Sequence, residues 1–511
     1  MARFRRMWGV LFAVAGVAVA AVAGGAACER GDGAPARRSA ARPTTPVHAT
    51  KDRAAVGGHA ADHTPVRALL HRLTTRDGGP GAVLALGGEP DGAVLSSGLA
   101  DVQSDTPMRA DSRFRIGSLT KPFVATVVLQ LVGEGRVALD TPVERYLPGV
   151  VRGHGNDGRR ITVRQLLQHT SGIPDYLDHI EPEDVLRAPL THYDPRALVR
   201  LALAHAPDFE PGTNWRYSNT GYLLAGMLIE RVTGHPYGDE IRRRVIGPLG
   251  LRRTSVPGDG SEIPGPHARG YARTAKDAPP MDITALNPTV AGSSGSMISS
   301  GADFDRFLDA LLRGRLLHPA QLRQMMRTRP TGSTDGGAYG LGLESHPLPC
   351  GGLAWGHDGG IPGYETAGAA TAGGRQATVM VNLYPGNTGA QNADMTSAIR
   401  TALCEGRSSN PSPGHGRRGG DRPSAGVASR IRATFGGDRR RIPHSRGGPR
   451  HHGTSRARSP HRASVSRACS GWVCSGRACS GRACSGRGSC RAPAPARGAP
   501  SGTGADRSSR W

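Results

Sequence analysis

Apolar and polar positions follow two different periods along this chain, and the changes of period mark out its organisation. Residues 82–88 and 93–98 are short apolar runs joined by a Glu-Pro-Asp-Gly turn, which predicts a pair of strands. From Leu119 to Glu134 the spacing becomes helical, with Phe123, Val124, Val127, Val128, Leu131 and Val132 on the apolar positions and Gly133 and Gly135 at the end. Between 140 and 290 the helical period dominates, over 162–168, 195–205, 219–233 and 238–247, and two amphipathic helices are predicted within 303–328. Strand-like runs then return at 339–343, 353–356, 364–371 and 376–384, and 391–403 predicts a closing helix. Strand-rich ends around a helical middle describe an α+β fold. The two ends join into one antiparallel sheet, flanked by helices, with a mostly helical lobe inserted. A cleft at that junction is where a site is expected.

The outer segments do not share these periods. Residues 1–28 begin with Arg3, Arg5 and Arg6, continue apolar and small from Met7 to Ala23, and end in Gly25-Ala-Ala-Cys28. This predicts an export signal, with an uncleaved membrane anchor as the alternative. Cys28 makes a lipoprotein signal a further reading, with membrane attachment through the N-terminus, and Arg5-Arg6 hints at twin-arginine export. Residues 29–64, rich in Ala, Arg, Pro and Thr, predict a flexible linker. Residues 65–404 form the globular segment. Residues 405–511 carry Arg, Gly, Ser, Ala and Pro almost without apolar periodicity, with an Ala-Cys-Ser-Gly-Arg repeat around 478–487. A disordered tail leads the readings there, followed by an off-frame extension and by Arg-mediated binding to an anionic polymer.

This division changes the meaning of the formal net charge of +24. The tail holds 22 Arg against four acidic residues, and 1–64 holds nine basic against four acidic, so 65–404 is left with 34 basic and 33 acidic residues. A globular segment that close to neutral gives no reason to expect a specific nucleic-acid partner. Of the eight cysteines, only Cys350 and Cys404 lie within it. They are either a disulfide, as an exported protein favours, or two buried thiols.

Three motifs carry chemistry. Ser118-Leu-Thr-Lys121 puts a hydroxyl and an amine three residues apart, on one face of the helix predicted to follow. A desolvated Lys121 can take the Ser118 proton, and the helix N-terminus favours negative charge at Ser118. Alone, the motif reads equally well as a helix cap with an exposed lysine. Tyr217-Ser-Asn219 follows about 100 residues on, offering a phenol that could ionise beside positive charge and act as a base, and a carboxamide for a substrate amide. By itself it is equally a helix cap beside a core tyrosine. His357-Asp-Gly359-Gly360 ends a predicted strand, where the glycines allow close backbone approach. The N–H of Gly360 could complete an oxyanion hole with that of Ser118. The alternative is a glycine-rich hairpin with a surface histidine.

The order and separation of Ser-x-x-Lys, Tyr-Ser-Asn and His-Asp-Gly resemble those of the class C β-lactamase and D-alanyl-D-alanine carboxypeptidase family of penicillin-recognising serine hydrolases. Further stretches resemble it over 65–404: Leu131-Val-Gly-Glu-Gly135, Ile161-Thr-Val-Arg-Gln-Leu-Leu167, His169-Thr-Ser-Gly172, Gly226-Met-Leu-Ile-Glu230, Tyr339-Gly-Leu-Gly-Leu343 and Cys350-Gly-Gly. The secreted actinomycete DD-carboxypeptidases are the most similar group within it, and they share the pair of cysteines. The resemblance implies a β-lactamase-like fold and an acyl-enzyme on Ser118, with proton transfer shared by Lys121 and Tyr217. It also implies substrate contacts from Asn219, His357, Gly359 and Gly360, and neither metal nor cofactor. The substrate would be a small molecule or peptide, such as a peptidoglycan stem peptide or a β-lactam, met outside the cytoplasm.

Three positions depart from that pattern. Glu344 stands where those carboxypeptidases place an arginine that grips a terminal carboxylate, and Asp358 and Gly360 replace threonines. If Glu344 faces the site, it repels a carboxylate and favours an ester, a D-amino-acid amide or a cationic substrate; if it points outward, it changes nothing. The rivals to a carboxypeptidase or β-lactamase are therefore an esterase or D-aminopeptidase of the same fold, and a penicillin-binding domain that does not turn over.

Overall fold

The computed structural model describes residues 63–405 apart from 89–91, 276–277 and 387. The predicted signal (1–28), nearly all of the predicted linker (29–64) and the predicted tail (405–511) lie outside the described residues.

The first three strands are β1 (Gly81–Gly87), β2 (Ala93–Asp101) and β3 (Thr106–Pro107). Three short pairs follow: β4 (Phe114–Arg115) with β9 (Ile298–Ser299), β5 (Arg152–Gly153) with β6 (Asn156–Asp157), and β7 (Tyr271–Ala272) with β8 (Met281–Asp282). The last six strands are β10 (Arg329–Pro330), β11 (Ala338–Tyr339), β12 (Glu344–Pro347), β13 (Leu353–Ile361), β14 (Tyr364–Thr371) and β15 (Gln376–Val381). They join the first three in one sheet of order β10-β11-β12-β13-β14-β15-β1-β2-β3. The seam between the two chain ends is the antiparallel pair β1–β15, with Ala82 opposite Val381. The α+β architecture read from the sequence is the one observed.

One face of the sheet is covered by α1 (Thr64–Thr75) and by the last helix, Gly389–Cys404. Sequence reading assigned no helix to 64–75, although Val66, Leu69, Leu70 and Leu73 recur at helical spacing and all four are buried. On the other face the helix Gly301–Leu312 packs on β1, β14 and β15, and the central helix α2 (Thr120–Gly133) packs on that helix and on the inserted lobe, built from α3 (Val163–Leu167), α4 (Pro182–Arg187), α5 (Pro195–Leu203), α6 (Asn219–Thr233), α7 (Tyr237–Ile241) and α8 (Gly247–Leu249). After the lobe come α9 (Gly301–Leu312), α10 (Pro319–Met325) and α11, the Gly389–Cys404 helix. Almost all of α2 is buried, and Phe123 stacks on Phe307 of α9 at 3.7 Å between ring centroids. Burying a ring of that size removes apolar area worth roughly 2–3 kcal/mol from water.

Two strand boundaries differ from expectation. Of the predicted strand 339–343 only Tyr339 is in a strand: 340–343 form the tight turn between β11 and β12, in which Gly340 N–H donates to Leu343 O at 2.7 Å and Gly342 takes φ +77°. The strand predicted over 353–356 runs on to Ile361, carrying His357, Gly359 and Gly360 with it. Cys350 and Cys404 are joined, with Cα atoms 5.7 Å apart, tying the turn before β13 to the end of α11.

Candidate active site

Ser118 sits in a single tight turn, Gly117–Leu119, that leads directly into α2. Gly117 takes φ +50°, and a Cβ there would lie 2.9 Å from Gly360 N and 2.8 Å from Gly360 O. Only glycine lets the turn lie this close to β13. The same holds from the strand side, since a Cβ on Gly359 would stand 2.3 Å from Ile116 O and 2.9 Å from Ser118 N. Thr366 of β14 clamps the contact, its hydroxyl donating to Ile116 O at 3.0 Å. The main-chain nitrogens of Ser118 and Gly360 are thus brought to one side of the nucleophile's turn, where two N–H groups can receive developing negative charge.

The Ser118 hydroxyl lies 2.9 Å from Lys121 Nζ and 2.8 Å from the Tyr217 hydroxyl. Lys121 is fully buried, and its Nζ also donates to Asn219 Oδ1 at 2.8 Å and to Ser294 O at 2.9 Å. Burial pulls its pKa down to about 7, against the pull of Asp175, Asp358 and Glu344. In the neutral amine, the two fixed acceptors take up both N–H bonds and leave the lone pair for the Ser118 proton.

Tyr217 does not behave as the motif suggests. Burial pushes its phenol well above 10, and Asp358, Glu344 and Asp175 push it further. The neutral phenol donates to Ser118 Oγ, which leaves the Lys121 amine as the group beside that hydroxyl able to accept its proton. His169 packs against the Tyr217 ring at 4.3 Å and is kept neutral by burial and by Lys121.

His357 also differs from expectation. Its ring is fully buried beneath the strand rather than lining the cleft. Nδ1 lies 2.6 Å from Asp358 O, an acceptor, so Nδ1 carries the proton; Nε2, 2.8 Å from the Tyr339 hydroxyl, accepts from it. Alternation along β13 instead turns Asp358 and Gly360 outward. The pairing of β12 with β13 stops at Glu344 opposite Gly356, so the cleft wraps over the strand's outer edge beyond that point. Its volume is about 560 Å³, and Ser118, Tyr217, Asn219, Glu344, Asp358 and Gly360 are among its lining residues.

Glu344 therefore faces the cleft. It lies 3.8 Å from His357 Nδ1 and 3.4 Å from His346 Nε2, while the other His346 nitrogen meets Asp335 at 3.0 Å. Burial opposes a charge on His346, but Glu344 and Asp335 prevail and raise its pKa to about 8. Donor atoms of Glu344, His357 and Asp358 lie within 4.8 Å of one another. They do not suit a metal ion, because both His357 nitrogens are already committed. Arg216 also lines the cleft, with its charge engaged by Asp178 and Asp208.

The structure thus gathers Ser118, Lys121, Tyr217, Asn219, Gly359 and Gly360 and sets the His357 ring aside. Sequence reading missed Ser294, Thr366 and Asp175, because a backbone carbonyl, a hydroxyl behind a strand and a lone loop carboxylate leave no periodic signal.

Residues 66–400 match the family model described as Beta-lactamase. The chain belongs to the beta-lactamase family. Members of this family are serine hydrolases, and so is this chain. A D-stereospecific amidohydrolase from Streptomyces sp. is 42% identical with a TM-score of 0.60, over 65% of this chain and 98% of that one. Penicillin-binding protein 4 of Amycolatopsis lactamdurans is 29% identical, over 60% of this chain and 79% of its own length. Esterase EstB of Burkholderia gladioli is 34% identical, over 50% and 71% respectively.

Proposed function

We propose that this chain is an exported hydrolase that cleaves an amide or ester next to a cationic group, most simply the amide of a D-amino acid, through an acyl-enzyme on Ser118. The observation that carries this reading is the pair of carboxylates on the cleft wall, Asp358 and Glu344, the latter sharing the His346 imidazolium with Asp335. They attract an ammonium and repel the terminal carboxylate that a carboxypeptidase must hold. The similarity to a D-stereospecific amidohydrolase supports the same direction.

In this reading the Ser118 proton passes to neutral Lys121 as the oxygen attacks the carbonyl carbon. The oxyanion rests on the N–H groups of Ser118 and Gly360. Tyr217 relays the proton to the leaving amine, and water then releases the acyl group by the reverse transfers. Asn219 keeps one Nδ2 hydrogen for a substrate carbonyl, since the other is given to Asp175 at 2.7 Å. The charged, apolar N-terminus and the joined cysteines support action outside the cytoplasm.

The test is a panel of D-phenylalanine amide, a D-Ala-D-Ala peptide, nitrocefin and p-nitrophenyl butyrate, with Ser118→Ala as the blank. Turnover of the amide above the peptide supports the reading. Preferred cleavage of the peptide or of nitrocefin overturns it in favour of a carboxypeptidase or β-lactamase, and stable penicillin labelling without turnover in favour of a receptor. Fractionation of expressing cells tests export.

A further inference from the structure

Behind Lys121 lies a second buried charge. Asp175 follows directly on the Ser171-Gly-Ile-Pro174 stretch and is 4% exposed. Its Oδ1 accepts from Leu177 N–H at 3.2 Å and its Oδ2 from Asn219 Nδ2 at 2.7 Å. The main-chain N–H of Asn219, in the first turn of α6, favours its charged form as well. The Asn219 carboxamide therefore joins two groups: its oxygen receives Lys121 Nζ and its nitrogen gives to Asp175. A carboxylate accepts only, so Asp175 forces the amide nitrogen toward itself and the amide oxygen toward the amine.

We propose that Asp175 is a positioning residue for the hydrolytic reaction: through the Asn219 carboxamide it locks that amide's orientation and balances the ammonium formed on Lys121 when Ser118 is deprotonated. A buried ammonium without a counter-charge is costly, and one amide's length of separation keeps the pair from collapsing into a contact that would hold Lys121 protonated. Burial raises the Asp175 pKa to about 6, and its hydrogen bonds work in the opposite direction. Burial in turn lowers the Lys121 pKa, and the charge of Asp175 is the largest of those that pull it back up. The other groups facing Lys121 are the Tyr217 and Tyr222 rings, neutral His169, and the more distant Asp358 and Glu344. Asp178 is the acidic neighbour of Asp175.

The proposal rests on Lys121 being the base, so Lys121→Ala is measured first. If that variant keeps activity, the base assignment fails, and the role given to Asp175 fails with it. With the base established, the acid limb of kcat/KM for a p-nitrophenyl ester is compared in wild type, Asp175→Asn, Asn219→Ala and the double variant. Removing the negative charge, or the amide that transmits it, destabilises the Lys121 ammonium. Each single variant therefore moves the limb to lower pH, by about half a unit or more, with about tenfold lower plateau activity. The double variant adds little to either. A purely structural role predicts lower activity with an unmoved limb, and that result overturns the proposal. Should Asp175→Asn fail to fold, Asn219→Ala and the charge-keeping Asp175→Glu decide: the first must shift the limb and the second must keep it near wild type.

Discussion

Lys121 offers the sharpest test of the chemistry. An ordinary lysine, at 10.5, has about one neutral molecule in three thousand at pH 7; at about 7, Lys121 is half neutral. Burial therefore supplies about three orders of magnitude of available base. The direction follows from the sign of the shift: the neutral form dominates above about 7, so acylation is flat above that pH and falls about tenfold per unit below it. Lys121→Arg keeps the positive charge but cannot lose its proton. Stopped-flow measurement of the acylation burst with a p-nitrophenyl ester, from pH 5 to 9, reads both. The variant should acylate at least about 10³-fold more slowly at pH 7.5 and show no acid limb. Circular dichroism and melting check that it is folded. An arginine variant within tenfold of wild type, or one with the same limb, would refute a general-base role for Lys121.

Other consequences are equally direct. Gly359→Ala places a methyl 2.3 Å from Ile116 O and 2.9 Å from Ser118 N, so β13 must retreat; kcat should fall about 10²–10³-fold, and the melting temperature should drop by a few degrees with it. Glu344→Gln should raise KM for a cationic amide about tenfold and leave KM for a neutral ester within about twofold, measured as paired steady-state profiles. Replacing Cys350 and Cys404 with serine frees a loop of sequence separation 54. The loss should approach about 4 kcal/mol in denaturant unfolding, and reductant should bring the parent to the same midpoint.

The fold was legible where burial imposes a period. Helix α2 is apolar all along and stops at its glycines, and β14 and β15 read as strands because their side chains alternate or are wholly buried. The nucleophile and the amine were legible because three residues on a helix bring two side chains together. Burial of the His357 ring was not legible, because a strand's facing depends on register with neighbours, and one residue's difference exchanges His357 for Asp358 in the cleft. Nor was the neutrality of Tyr217: it rests on burial, to which Asp358, Glu344 and Asp175, 141, 127 and 42 positions away, add. Asp175 lies three residues beyond the His169-Thr-Ser-Gly172 stretch and carries no motif of its own; its role appears once Asn219 is seen to have its amide oxygen committed to Lys121.

The seam that pairs Ala82 with Val381 also governs when reactivity can arise. A ribosome releasing this chain from its N-terminus has made the serine-bearing turn long before the strand that presses against it. Until some 240 further residues emerge, nothing holds Gly359 against that turn. Contacts this remote in sequence form late and slowly. The hydrolytic centre is therefore assembled only when both halves close, and a chain that stops short of β13 lacks the strand whose glycines meet the serine turn.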